Sequence, residues 1–307
     1  MTIFIWTIQF IFIPVVSPLC VGIIKKIKAR LQNREGASIF QPYKDLWKLL
    51  HKDEVISRDA SWIFSSAPFI IFSVTIVVGA SIPIFEPFFN NTLTGDMLII
   101  VYALAIGTFF LALSGMDTGS AFGGLGSSRE MTLSALAEGG LIFSLLTVAL
   151  ISGTTNLFAI SSSIFGQGQH FLSVLLAFSG FFIVLLAETA RFPYDNPDTH
   201  LELTMIHEAM ILEYSGKRLA LMEWASANKL LIFFALGANL FFPSGLAQNA
   251  YADAIILCIV IFMVKIFIFC LVIALIESSM AKFRFFRLPD LLLISFILNV
   301  VAIGLIY

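Results

Sequence analysis

The chain has 307 residues, of which 59% are hydrophobic and 12% charged, with a formal net charge of −2. A soluble domain carries about twice that charged fraction, and so even a balance offers nucleic acid or an anionic surface no complementary charge. These values point to an all-α, polytopic membrane protein, a single integral domain over residues 1–307.

Met1 to about Ile24 is an apolar run whose first positive residue is Lys25, which reads as a membrane helix rather than a cleaved leader. Further runs follow at roughly 66–86, 94–114, 131–152, 169–189, 229–247, 254–278 and 288–306. A span needs about 20 apolar residues, so about eight helices are expected. Pro83, Pro87 and Pro243 mark the helix ends most open to breaking. The connections expected on one side of the membrane cover about 25–65, 115–130, 190–228 and 279–288.

Charge placement supports that count. The first connection holds Lys25, Lys26, Lys28, Arg30, Arg34, Lys44, Lys48, Lys52 and Arg58. Arg129 falls in the third, Arg191, Lys217, Arg218 and Lys229 in the fifth, and Lys282, Arg284 and Arg287 in the seventh. The even connections and the termini hold no Lys or Arg. Under the positive-inside rule the odd connections face the cytoplasm and both termini lie outside. The expected location is therefore a bacterial or archaeal cytoplasmic membrane, crossed many times.

Two connections carry patterns of their own. In Phe40–Lys52, Phe40, Tyr43, Leu46, Trp47 and Leu50 recur at helical spacing, with Lys44, Asp45, Lys48 and Lys52 on the other side. That suits an amphipathic helix lying in the interface, as a lipid anchor or a docking surface. The third connection, SGMDTGSAFGGLGSSRE, reads as a flexible or tightly turned loop anchored by Asp117 and Arg129. It lacks a phosphate-cradling GxxxxGK[ST], and Ser127 or Ser128 is placed to cap the next helix, with Glu130 in its first turn.

Chemistry-bearing residues concentrate in Ala187–Gly216, AETARFPYDNPDTHLELTMIHEAMILEYSG. Glu188, Asp195, Asp198, Glu202, Glu208 and Glu213 crowd there with Arg191, His200 and His207. Like charges so close raise one another's pKa values, and Arg191 is placed to hold part of the set ionised through forked hydrogen bonds. Within the membrane, Glu138 falls about two turns into the fourth helix, on the order of 11–13 Å from its start. Lys265 lies near the middle of the seventh, with no acid within four residues on its own helix. Ionisable groups at such depth suggest a proton or ion path, against the alternative of interhelical pairs that only fix packing. Cys20, Cys258 and Cys270 are far apart, and no CxxC, HExxH, GxSxG or Walker pattern occurs. Neither a metal site, a cluster nor a catalytic constellation is therefore expected in this chain.

Several of these segments resemble a known family. AETARFPYD is similar to the AETxRxPxD motif of the quinone-chamber membrane subunit of respiratory complex I, the subunit 1 family. LEYSG resembles that family's TEYSG-type element, and QPYKDLWKLLHKD its QPxxDxxKLxxKE segment. SGMDTGSAFGGLGSSRE and ESSMAKFR look like the narrower branch in group 4 nickel–iron hydrogenases, that of formate hydrogenlyase subunit 4 and hydrogenase-4 component C. Two departures stand out: Ala37 follows Gly36 where the family often has proline, and ELTMIHEAMILE is longer than the matching acidic segment and carries His207.

The resemblance implies a non-catalytic membrane subunit of an oxidoreductase, anchoring a soluble redox arm and coupling electron transfer to proton or cation movement. Glu188, Arg191, Asp195, Glu202, Glu208 and Glu213 would line an acidic chamber, with Glu138 and Lys265 continuing the path into the membrane. Arg34, Gln41, Asp45, Lys48, Asp117 and Arg129 would face the arm. Hydrogenase-like large and small subunits, antiporter-like membrane subunits and the bilayer are the implied partners. Nickel–iron and iron–sulfur centres would reside in those partners and no cofactor in this chain. Quinone stays open, because the hydrogenase relatives work without it. The alternatives are a quinone-binding subunit of a complex I-like dehydrogenase and a self-contained secondary transporter, which would show an internal repeat.

Topology is directly measurable. Cysteines introduced at Asn91, Gly166 and Asn249 should react with a membrane-impermeant thiol reagent from outside, and cysteines at Ser38, Ser127 and Ser215 should not. The reverse pattern would overturn the orientation.

Overall fold

Apolar segments in lipid must satisfy their backbone internally, which makes them helices. The computed structural model describes residues 2–57, 60–84, 95–163, 170–195, 205–244 and 252–306. Among the described residues no strand occurs, only an isolated bridge between Asp96 and Asn156. The helices are α1 (Thr2–Leu31), α2 (Gln41–Leu50), α3 (Trp62–Ser81), α4 (Met97–Asp117), α5 (Ala121–Ser152) and α6 (Leu157–Ser163). They continue with α7 (Phe171–Glu188), α8 (His207–Ile211), α9 (Gly216–Leu236), α10 (Ala252–Ser279) and α11 (Leu288–Gly304). Eight of them, counting short extensions of α9 and α11, are long and apolar enough to cross a membrane, the number the hydropathy runs predict. The chain is a multi-pass membrane protein.

Helix α9 is the most enclosed span and packs against α1, α2, α3 and α10, while α5, α7 and α11 form a second group joined to it through α4. Polar atoms tie the two sides of α9 together. Ser17 Oγ donates to Asn228 Oδ1 at 2.6 Å, and Asn228 Nδ2 donates to Thr75 Oγ1 at 3.2 Å. Proline supplies two further ties. Pro18 has no N–H for the carbonyl of Pro14, and Trp224 Nε1 donates to it instead at 2.8 Å. Pro68 frees the carbonyl of Phe64 in the same way, and Tyr214 Oη takes it at 3.0 Å. At its far end α9 loosens into a π-helical turn, Gly237–Phe241, closed by Asn239 Nδ2 donating to the Pro83 carbonyl at 2.7 Å.

All the Lys/Arg-rich connections gather at one end of the bundle, called the charged end here. Arg218 pairs with Glu54, Ser215 bonds both backbone groups of Val55, and Asp117 Oδ2 accepts from the N–H groups of Ser61 and Phe64. Helix α2 lies across this end against α9 and α1. Leu46 is buried beneath it, Trp47 and Phe40 are exposed, and Tyr43 Oη donates to the Val15 carbonyl of α1.

Three expectations about local structure change. The glycine-rich third connection is mostly helix: α4 runs to Asp117, and α5 starts at Ala121 under a Ser120 cap. Its glycines serve close approach rather than flexibility. A Cβ at Gly123 would lie 2.2 Å from the Gly115 carbonyl oxygen, and one at Gly126 2.8 Å from Ala209 Cβ. Ser127 is therefore internal to α5 and fully buried, so exposed Ser128 replaces it as a labelling position. The sixth span begins at Gly216 rather than at Lys229, which places Lys217, Arg218, Glu223 and Lys229 on helix α9. Glu138 accordingly sits about 17 residues, roughly 25 Å, along α5 instead of two turns in.

The glycine contacts make a paired prediction. Gly124 has open space where its Cβ would stand, so Gly124→Ala should be neutral or stabilise by up to about 1 kcal/mol through helix propensity. Gly123→Ala should cost about 1–3 kcal/mol by overpacking. Thermal midpoints of the two purified variants in detergent, measured by tryptophan fluorescence, should move in these different ways.

Candidate functional site

The site grows from the turn after α7. Thr189 N–H bonds the Leu185 carbonyl, and Ala190 takes a φ of 49°, which reverses the chain so that Arg191 N–H reaches the Leu186 carbonyl. Phe192–Pro193 is a cis peptide bond. The Phe283 N–H bonds the Pro193 carbonyl and brings in the connection after α10. This geometry buries Arg191 and Asp195, at 7% and 3% exposure.

Buried charges require partners, and here each partner comes from a distant segment. Arg191 Nη1 donates to Glu277 Oε1 of α10 at 3.0 Å, and Lys28 of α1 approaches Glu277 Oε2 at 3.3 Å. Glu188 Oε2 pairs with Lys229 Nζ of α9 at 2.7 Å. Asp195 Oδ1 pairs with Lys282, while its Oδ2 accepts the N–H groups of Ile206 and His207 and so starts α8. Among the described residues Arg191 thus does not fork onto an acid of its own stretch. Lys229 and Lys282 neutralise two of those acids, because chain reversal brings other helix ends nearer than sequence neighbours.

Three adjoining spaces connect these groups. The first, about 610 Å³, opens at the charged end between α1, α2 and α9 and is lined by Lys25, Gln41, Asp45, Arg191, Glu208 and Glu223, among others. The second, about 40 Å³, lies deeper between Thr108, Glu188 and Lys229. Its wall shares Thr189, His207 and Ser226 with the first. The third, about 510 Å³, is a groove on the flank of α4 and α5, lined by Tyr102, Thr108, Ser134 and Glu138. Lys229 Nζ donates to Thr108 Oγ1 at 3.4 Å, and Ser134 Oγ to Glu138 Oε1 at 3.4 Å. A small void of about 10 Å³ beside them gathers Glu130, Glu188 and Asp195. Burial, helped by nearby Lys229 and opposed by Asp195, pushes the His207 imidazole down to about 4. Burial pushes the Tyr194 phenol well above its ordinary range.

The remaining candidates are dispersed. Glu208 lines the first space, whereas Glu213 is exposed. Asp198, His200 and Glu202 lie outside the described residues. Lys265 stands apart from the acids, with its Nζ donating to the carbonyls of Ala238 and Phe242 at 3.2 and 2.6 Å and to Asn239 Oδ1 at 3.5 Å. Those carbonyls belong to the frayed end of α9, where a cation is favoured. Gln41 and Asp45 hydrogen-bond each other on the rim of the large space, Lys48 lines it, and Arg34 is exposed. Asp117 caps α3, and Arg129 Nη1 donates to the Met205 carbonyl at 3.1 Å, with its guanidinium 5.7 Å from the Phe285 ring. Sequence pattern does not single out Lys229 and Lys282 as counter-ions, since both read as orienting loop charges. It likewise gives Glu130 only a first-turn place. The one signal for Lys229 is its position at the head of an apolar run.

Among known proteins, the family model described as NADH dehydrogenase matches residues 3–307. Hydrogenase-4 component C of Escherichia coli is 33% identical, over 96% of this chain and 92% of that protein. Formate hydrogenlyase subunit 4 of the same organism is 32% identical, over 90% of each. An NADH-quinone oxidoreductase subunit of Paraburkholderia xenovorans is 31% identical, over 76% of this chain and 71% of that one. A chain in the structure of the membrane-bound sulfane sulfur reductase, an archaeal respiratory membrane complex, superposes with a TM-score of 0.82 over 99% of both chains at 21% identity, showing the same fold.

The charge pairs yield a stability prediction. Arg191→Ala should cost about 3–5 kcal/mol, because Glu277 keeps its burial and loses its closest base. The double variant Arg191→Met/Glu277→Leu should recover most of that loss. Thermal midpoints of the purified proteins test both, and equal midpoints for the single and double variants would count against the pair.

Proposed function

We propose, for a chain that belongs to the NADH dehydrogenase family, that it is the membrane subunit of a hydrogenase-4 or formate hydrogenlyase-type oxidoreductase related to complex I. It holds a soluble redox arm at the charged end and carries protons from beneath that arm into the membrane. Among the described residues no cluster of His, Cys, Asp and Glu could hold a metal, and on this reading the electron-carrying centres belong to hydrogenase-like large and small subunits. The observation that carries this reading is the succession of three spaces that share wall residues, from the wide chamber through the Glu188–Lys229 pair and Thr108 to Glu138.

Each part has a physical role on this reading. Gln41, Asp45 and Lys48 stand on the chamber rim where an arm would sit, with Arg34 exposed nearby and Asp117 and Arg129 bracing the same end. Glu188, Asp195 and Glu208, with Arg191, are the charged groups through which the chain responds to redox change in that arm. Protons pass inward from this set. Glu138 receives them at mid-membrane depth. It opens on the flank of α4 and α5, where Tyr102 and Phe109 are 59% and 49% exposed. A carboxyl facing lipid alone is costly, so this flank suits an antiporter-like membrane subunit. Lys265 lies outside the three spaces and acts as the cap of α9. The charged end faces the cytoplasm and both termini lie outside, in a bacterial or archaeal cytoplasmic membrane.

A second reading draws on the chamber itself. Its size falls within the range of small-molecule sites, and the space beside Gly22, Val21 and Leu46 could admit a quinone headgroup. Quinone co-purifying with the complex and lost on Val21→Trp would favour that version.

The test of the main reading is Glu138→Gln, which keeps the shape and removes the titrating group. Assembly should persist while protons moved per redox turnover fall about tenfold or more. An assembled Glu138→Gln complex that pumps at the unaltered ratio would reduce this residue to packing.

A further inference from the structure

Within that proposed route one contact point has no acid among the described residues. The wide chamber and the narrow space around Glu188 and Lys229 meet at Thr189, His207, Ile211, Met222 and Ser226. Of these, only His207 has a side chain that titrates near neutral pH. It is the first residue of α8, a helix already fixed by other means. Asp195 Oδ2 accepts the backbone N–H groups of Ile206 and His207, and Ala209, Met210 and Ile211 bury the helix against α4 and α5. The imidazole is therefore not required as the anchor of its own segment.

We propose that His207 is the proton relay between the chamber at the charged end and the Glu188–Lys229 pair, an assignment that rests on the route described above. The transfer involves only a proton. A neutral imidazole accepts a proton from the chamber on its bare ring nitrogen, becomes imidazolium, and releases the proton of the other nitrogen toward the Glu188 side. The ring is then neutral again as the other tautomer and resets by rotation or by exchange through water. No electron moves and no bond other than N–H is made or broken. Among the described residues, the charged groups around it are Lys229 and Glu223 of α9, Glu188 of α7, Arg191 and Asp195 of the turn, and Glu208 beside it on α8. Burial and Lys229 keep the resting ring neutral, since they push its pKa to about 4. An imidazole that is neutral at rest and protonated only in passing carries protons without trapping them.

The test uses the whole complex in inverted membrane vesicles, with three variants of this subunit: His207→Ala, His207→Gln and Glu188→Gln. Subunit content is checked first, and His207→Gln guards against loss of fold because it keeps a polar side chain of similar reach. Protons moved per redox turnover should fall about tenfold or more in both His207 variants. Free imidazole in the assay should restore His207→Ala, whose vacated space adjoins a chamber of about 610 Å³, and should leave His207→Gln unrestored. A wild-type ratio in His207→Gln, or a loss in His207→Ala that imidazole does not repair, overturns the relay. Glu188→Gln separates the two ideas. Loss there with intact His207 variants removes only the relay, whereas an intact ratio in all three removes the route as well.

Discussion

Four carboxylate and base pairings at one end of the bundle set the shape of everything around them. Glu277 lies between Arg191 and Lys28, Glu188 against Lys229, and Asp195 against Lys282. An unpaired charge at such burial costs several kcal/mol, so none of these groups can stay where it is unless its partner's helix also stays. Helices α1, α7, α9 and α10 are held in register at that end by this condition, and the tight turn around Ala190 and Arg191 is the piece that lets one stretch of chain meet all of them.

The apolar bulk follows a different rule. Between helices in lipid there is little hydrophobic drive, so close packing and interhelical hydrogen bonds carry the association. Gly140 and Gly180 illustrate this, since a Cβ at either would collide with α7, α11 or both. In their place Ser295 Oγ donates to the Gly180 carbonyl, and Asn299 Nδ2 to the Gly140 carbonyl, each at 2.9 Å. The carbonyls freed by Pro18 and Pro68 are used in the same manner by Trp224 and Tyr214. These contacts make a rigid wall on which the polar spaces can persist without collapsing.

The two rules coexist in one bundle. The charge pairs lie at one end, the small-residue packing runs through the middle, and the three spaces pass from the first region into the second. Glu138 stands about 25 Å along α5 because that helix begins at Ala121 and runs uninterrupted to Ser152. A shorter helix beginning near residue 131 would have left that carboxyl within about two turns of the charged end.

The class, the eight spans and the common end shared by the basic connections are all legible in the chain, because hydropathy and charge are summed over many residues and no single contact decides them. Glu188, Arg191 and Asp195 are legible too, since acids and a base packed into a mostly apolar chain stand out without any geometry. The counter-ions are not. Lys229, Lys282 and Glu277 lie 41, 87 and 86 positions from Glu188, Asp195 and Arg191, and no local pattern encodes such pairing. The same holds for Gly123 and Gly126, whose need for close approach is set by α4 and α8 rather than by their own neighbours. Where a property is the sum of residue preferences the chain declares it, and where it depends on which distant surface arrives, only the folded bundle can.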